Sequence, residues 1–176
     1  MKTKKNLAIA IFGLLVISCS VVDQLLTFSI DNQVSFSVPV GTPPNILIPI
    51  PMVSVASNST TVFENNDTRA ELVKEVKLKE FKLSITSPNG KSFSFLKSVH
   101  MYISTNDTDE IELAYSDNIT STSNTLNLTC TTQKLDKYVK APSFRIRATA
   151  ETKETVSEKI DITADMKFNV TADPFQ

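Results

Sequence analysis

From position 28 the chain alternates. Phe28 and Ile30, then Val34, Phe36 and Val38, place apolar side chains two apart with Asp31-Asn32 between them. That is the period of one or two strand segments with a single face turned inward. The same period returns in Phe81, Leu83, Ile85, in Val99, Met101, Ile103, in Ile111, Leu113, Tyr115, in Leu126, Leu128, Cys130 and in Phe144, Ile146, Ala148. Its longest run is Ile160, Ile162, Ala164, Met166, Phe168, Val170. Turn formers separate these runs: Ser87-Pro88-Asn89-Gly90, where Pro and Asn-Gly prescribe a tight turn, Thr105 to Asp109, and Asp117 to Asn124. Strands at short intervals, each with one apolar face, predict an all-β chain folded as a single antiparallel β-sandwich, immunoglobulin-like, of about seven to nine strands. Leu83, Ile85, Val99, Ile103, Phe144, Ile146, Ile162 and Phe168 are expected to be buried together.

Three stretches break the alternation. Residues 39–51 hold five prolines around Asn45-Ile46-Leu47-Ile48-Pro49-Ile50-Pro51. Proline donates nothing to a ladder, so this piece is an edge strand or an extended crossover, either covering one end of the core or exposed to a partner or a bilayer. Thr68-Arg69-Ala70-Glu71 has the form of a capping box, with Leu72, Val73 and Val76 following at helical spacing, and predicts a short helix. A helical turn over residues 134–140 packs Leu135, Tyr138 and Val139.

The N-terminus carries a different pattern. Lys2, Lys4 and Lys5 precede an uncharged run from Leu7 to Ile17, then Ser18 and Cys19, the three parts of a secretory signal. The run covers about half of a ~30 Å hydrocarbon core, short of the ~20 residues that a transmembrane helix needs. Val16-Ile17-Ser18-Cys19 resembles the lipobox of bacterial lipoproteins, with an aliphatic residue three before the cysteine and a small one directly before it. Val16 stands where that family usually has Leu. The resemblance implies that the signal is cut after Ser18 and that Cys19 is the lipid anchor, diacylated through its thiol. Two or three acyl chains hold a membrane stably.

This divides the chain into a signal peptide, 1–18, a lipidated N-terminus and short tether, 19–27, and a sandwich domain, 28–176. The tether reaches at most about 25–30 Å, so the domain sits close to its membrane. Ser20 stands where Asp marks inner-membrane retention in enteric lipoproteins, and no acidic export tract follows. The resemblance therefore implies the outer membrane, facing the periplasm by default, with the cell surface as the alternative. Ile85-Thr86-Ser87-Pro88, Phe93-Ser94-Phe95-Leu96-Lys97-Ser98-Val99 and Tyr102-Ile103-Ser104 resemble β-sandwich lipoproteins of Bacteroidota over about half the chain, and imply fold and address but no catalytic residues.

Composition and charge narrow the partners. Of 18 Lys and Arg residues three lie in the signal; the 15 that remain face 19 acidic residues, a net charge near −4. No basic stripe interleaved with aromatics exists, so nucleic acid is not an expected partner. The expected partners are the membrane, through the lipid, and an envelope protein or a glycan.

The chemistry-bearing residues are few. His100 is the one histidine, on an outward strand position, too little for a triad or a histidine-based zinc site. Cys130 continues an apolar alternation and reads as core. Asp107, Asp109, Glu110 and Glu112 form the best acidic cluster, a conceivable calcium loop that lacks the EF-hand glycine and spacing. Six Asn-x-Ser/Thr sites, at Asn58, Asn66, Asn106, Asn118, Asn127 and Asn169, follow from the abundance of Asn and Thr. There is no Gly-x-Ser-x-Gly elbow and no phosphate loop. The expectation is a non-enzymatic binding or structural module with no cofactor, no metal and no catalytic residue. An envelope hydrolase using an unrecognised carboxylate site, or an apolar-ligand carrier, are the alternatives.

Overall fold

The computed structural model describes residues 26–173; the signal segment and Cys19 lie outside the described residues. Nine strands and two short α-helices follow one another in the described chain: β1 (Thr27–Val38), β2 (Leu47–Ala56), α1 (Ser59–Asn65), β3 (Val73–Ser87), β4 (Leu96–Ser104), β5 (Ile111–Ser116), β6 (Thr125–Asn127), β7 (Thr129–Cys130), α2 (Asp136–Val139), β8 (Ser143–Thr152) and β9 (Ile160–Ala172). Two antiparallel sheets face each other, one ordered β1-β9-β3-β6 and one β2-β8-β4-β5-β7. The all-β antiparallel sandwich expected from the alternation is the fold observed.

What sets the arrangement is the pairing of early with late strands: β1 with β9, β2 with β8, β3 with β6 and β4 with β5. This is a long hairpin rolled up on itself. The sandwich shares its two-layer architecture with immunoglobulin domains, while its strand order is that of a jelly roll. Every connection crosses between the sheets except β4 to β5 and β7 to β8.

The core lies between the sheets, and the eight residues expected there are all buried in it. Phe144 of β8 meets Phe168 of β9 edge to face at 6.1 Å, joining the two layers with rings that are fully buried. Such a pair adds about 0.5–1.5 kcal/mol to the burial of the rings themselves. α2 forms where a helical turn was expected and buries Leu135, Tyr138 and Val139.

Two local expectations are corrected. The helix expected after Thr68 is a single 3-10 turn, Ala70–Leu72, and Val73 already opens β3. The three-residue spacing from Val73 to Val76, and again from Leu78 to Phe81, comes from β-bulges that shift the register between Val73 and Glu75 and between Leu78 and Glu80. A bulge inserts one residue and turns a spacing of two into three, so it imitates a helical step. The helix forms earlier, at α1, inside a polar stretch where Phe63 is the buried anchor. The run Leu126, Leu128, Cys130 also divides. β6 joins the four-stranded sheet and β7 the five-stranded one, with Leu128 donating its N–H to the Phe81 carbonyl at the crossing.

Candidate functional site

Because β4 and β8 turn Val99, Met101, Ile103 and Phe144, Ile146, Ala148 inward, the residues between them emerge on the outer face of the five-stranded sheet. Register places His100 between Thr149 and Tyr115, and Tyr102 between Arg147 and Glu112. Arg145 stands one position further along β8, opposite Ser104. This face therefore collects both tyrosines of the central strands, the histidine and two arginines.

The groups are held against one another. Arg147 donates Nε and Nη2 to the two carboxylate oxygens of Glu110 at 2.8 and 2.7 Å, and its guanidinium carbon lies 4.2 Å from the centre of the Tyr102 ring. The fork geometry of arginine suits both contacts at once. The Arg147 hydrogen bond holds the Glu110 carboxyl below its usual range and raises the guanidinium in turn. His100 lies 2.7 Å through Nδ1 from Glu112 Oε1 and 3.3 Å through Nε2 from Asp117 Oδ1, with its ring stacked on Tyr115 at 6.0 Å. Arg145 is the loosest member. Nη1 donates to Asp107 at 2.8 Å, but Asp107 is 90 % exposed, and Nε and Nη2 take no acceptor among the described residues.

The four acidic residues expected as a conceivable calcium loop do not converge. Asp107 pairs with Arg145, Glu110 with Arg147, and Glu112 with His100. Asp109 turns into the loop and accepts from the N–H and hydroxyl of Thr105, the N–H of Asn106 and the ammonium of Lys137. Burial pushes the Asp109 carboxyl up, and these donors outweigh it, leaving the group far below the usual carboxylate range. Among the described residues no three His, Cys, Asp or Glu side chains gather to hold a metal ion. Tyr138 Oη donates to the Asp109 carbonyl at 2.6 Å, which locks the loop to α2. Cys130 is half-buried against the core, and burial raises its thiol.

Sequence reading singled out His100 and the acidic run but passed over Arg145, Arg147, Tyr102 and Tyr115. For Tyr102, Arg145 and Arg147 the signal was present: they fill the outward positions of two alternating runs, and the two arginines match the carboxylates of the neighbouring hairpin. Tyr115 corrects the expected inward run Ile111, Leu113, Tyr115, because a register shift in the β4–β5 pairing buries both Leu113 and Ala114 and turns Tyr115 outward beside His100. The apolar stretch around residue 46 is the edge strand β2. Ile50 is buried, while Leu47 is 59 % and Met52 41 % exposed beside the arginines' sheet; Val40 and Ile46 are exposed in the preceding loop. Depressions of about 350 and 450 Å³ on the described surface are lined mostly by charged and hydroxyl side chains, among them Asp31, Lys82 and Asp165 in one and Lys74 and Glu75 in the other.

No protein-family model and no curated protein matches the chain. Among solved structures it is similar to the BFDV capsid protein in its 60-mer, at 10% identity and a TM-score of 0.40, over 85% of this chain and 95% of that one. It is also similar to infectious bursal disease virus Gt strain, at 10% identity and a TM-score of 0.39, over 84% of this chain; there it spans about a third of the other chain, 33%. A third likeness, at 9% identity and a TM-score of 0.31, covers 84% of this chain and 55% of a structure described for carbohydrate-binding modules of the β-sandwich superfamily. At these values nothing that those proteins bind or assemble passes to this chain.

Proposed function

We propose that the chain is the precursor of a lipid-anchored, non-enzymatic binding module of the outer membrane, held through Cys19 and facing the periplasm, which receives an envelope protein on the outer face of the five-stranded sheet. One observation carries the binding face: Tyr102, Tyr115, His100, Arg145 and Arg147 lie together there beside the exposed Leu47 and Met52 of β2. Tyr, Arg and Met are the residues that protein interfaces gather, around a patch whose centre excludes water. A protein surface suits it better than a sugar, since the ring of Tyr102 is covered by Arg147 and that of Tyr115 is stacked on His100. The non-enzymatic reading is supported by the state of His100, whose two ring nitrogens both face carboxylates and so leave none to activate a nucleophile.

The anchor is tested by mass spectrometry of the mature N-terminus, expected to begin with an acylated Cys19, and by Cys19→Ala, expected to release the protein from membranes. The face is tested by capturing partners with the lipidated protein and with Tyr102→Ala and Lys82→Ala variants. A partner lost with the first and kept with the second supports the reading; equal loss or equal retention refutes it. Purified protein screened against peptidase, esterase and glycosidase substrates is expected to show only background, and turnover abolished by one acidic substitution overturns the non-enzymatic part.

A further inference from the structure

A sandwich has four sheet edges, and three of them are guarded. β2 carries Pro49, Pro51 and a register shift between Ile50 and Val53, while β6 and β7 are three and two residues long. Proline, bulges and shortness are the usual defences of an edge. β1 has none of them. It runs twelve residues without Pro, Lys or Arg and pairs with β9 without a register shift.

The pairing also shows which of its groups face outward. Ala172 donates its N–H to the Leu26 carbonyl, so the even-numbered residues of β1 exchange hydrogen bonds with β9. The odd-numbered ones turn their N–H and C=O to the open edge. Asn58 Nδ2 agrees with this parity, donating to the Asp31 carbonyl at 3.2 Å from the start of α1, while Phe63 of α1 covers Phe28. Pro39 lacks an N–H. The open stretch is thus bounded by α1 at one end and by proline at the other, and contains Gln33, Ser35 and Ser37.

We infer that this stretch is where a second copy of the chain adds, β1 against β1, antiparallel about Ser35, so that two four-stranded sheets become one of eight. The stretch is its own complement. On the outer side Ser35 meets Ser35 of the second copy and Gln33 meets Ser37, with no charge on either partner. On the inner side the buried Val34 lies opposite the half-buried Phe36 of the second copy, which extends the apolar layer across the junction. About six main-chain hydrogen bonds close the ladder. The nearest carboxylates, Asp31, Asp161 and Asp165, are already occupied: Asp31 by Lys167 at 4.0 Å, Asp161 by Ser37 and Lys159 at 2.6 and 2.8 Å, and Asp165 by Gln33 and Lys82 at 2.6 and 3.8 Å. Like-charge repulsion does not oppose the pairing.

The test uses the full chain in its native membranes, in a Cys130→Ser background. Directly opposed residues of a hydrogen-bonded antiparallel pair have Cα atoms about 5.5 Å apart, within disulfide range. Ser35→Cys is therefore expected to give a disulfide-linked dimer on mild oxidation, and the parent without it none. Ser37→Cys is expected to give none by itself, because its two thiols stand about 13 Å apart, but to cross-link to a co-expressed Gln33→Cys chain. Ser35→Pro removes an outward N–H, spares the main-chain pairing with β9, and is expected to convert a sedimenting dimer to a monomer that still unfolds cooperatively. Absence of the Ser35→Cys dimer, equal cross-linking at Ser37→Cys, or cross-linking of Ser35→Cys to a different protein overturns the inference.

Discussion

The two outer faces of the sandwich obey the same alternation and are built from opposite materials. On the four-stranded sheet, Ser35, Ser37, Thr163, Asp165 and Lys167 stand outward, short or already paired: Gln33 donates to Asp165 at 2.6 Å and Ser37 to Asp161 at 2.6 Å. On the five-stranded sheet the outward positions hold Tyr, His and Arg, long planar groups stacked and forked over one another. Solubility requires only that outward positions be polar, and the first face does no more than that. The second concentrates the residue types that recognise other surfaces.

The largest effect comes from the layer that both faces share. Phe168→Ala removes a fully buried ring of the four-stranded sheet that packs on Phe144 of the five-stranded one, and a cost of about 3–5 kcal/mol is expected. Urea unfolding followed separately by a probe on each face should show both transitions moving together. A loss confined to one face would mean that the sheets do not form one cooperative unit.

The next effect distinguishes the faces through acid. Asp109 anchors the β4–β5 loop, whose next residue, Glu110, pairs with Arg147 of the aromatic face, and its carboxyl lies well below the ordinary 3.8. A carboxylate lowered in the folded state binds its proton more readily when unfolded, so its contribution is in force above that ordinary value and disappears as pH falls through the folded one. Asp109→Asn is expected to lower Tm at neutral pH and to flatten the acid limb of the stability curve. Unchanged acid behaviour would remove Asp109 as the loop's anchor.

The strands were legible because burial of one face enforces a period of two, which a few residues suffice to display. β3 shows where legibility stopped: bulges at Val73–Glu75 and Leu78–Glu80 wrote helical spacing into a strand. Leu128 shows a second limit, since an alternating run records that a face is buried but not which sheet buries it. The aromatic face was hidden for a related reason. Arg147 and Glu110 are 37 residues apart, and only the register of β8 on β4 brings them together. Their pairing depends on tertiary structure, whereas the residue types at outward positions were there to be read.

A smaller effect is expected at Arg147→Lys. Lysine keeps the charge but loses the fork to Glu110 and the planar stack on Tyr102. With Arg147 and Glu110 26 % and 31 % exposed, solvent screening limits the cost in stability to about 0.5–1 kcal/mol. Partner capture should fall far more than stability does. Equal modest losses in both would reduce the pair to a structural clasp.

The smallest effect is expected on the bland face, and it sharpens the comparison most. Lys82 lies 3.8 Å from Asp165, and both side chains are 42 % and 40 % exposed. An ion pair of that kind contributes little, because water solvates each charge nearly as well as the other does. Asp165 also keeps its hydrogen bond from Gln33 when the lysine is gone. Lys82→Ala should therefore change unfolding free energy by no more than about 0.5 kcal/mol and leave partner capture at the wild-type level. The same ledger applied to Arg147 predicts a small change in stability and a large one in capture, so the contrast lies in binding. If Lys82→Ala weakened capture as much as Arg147→Lys, recognition would extend to both faces and the division between them would fail.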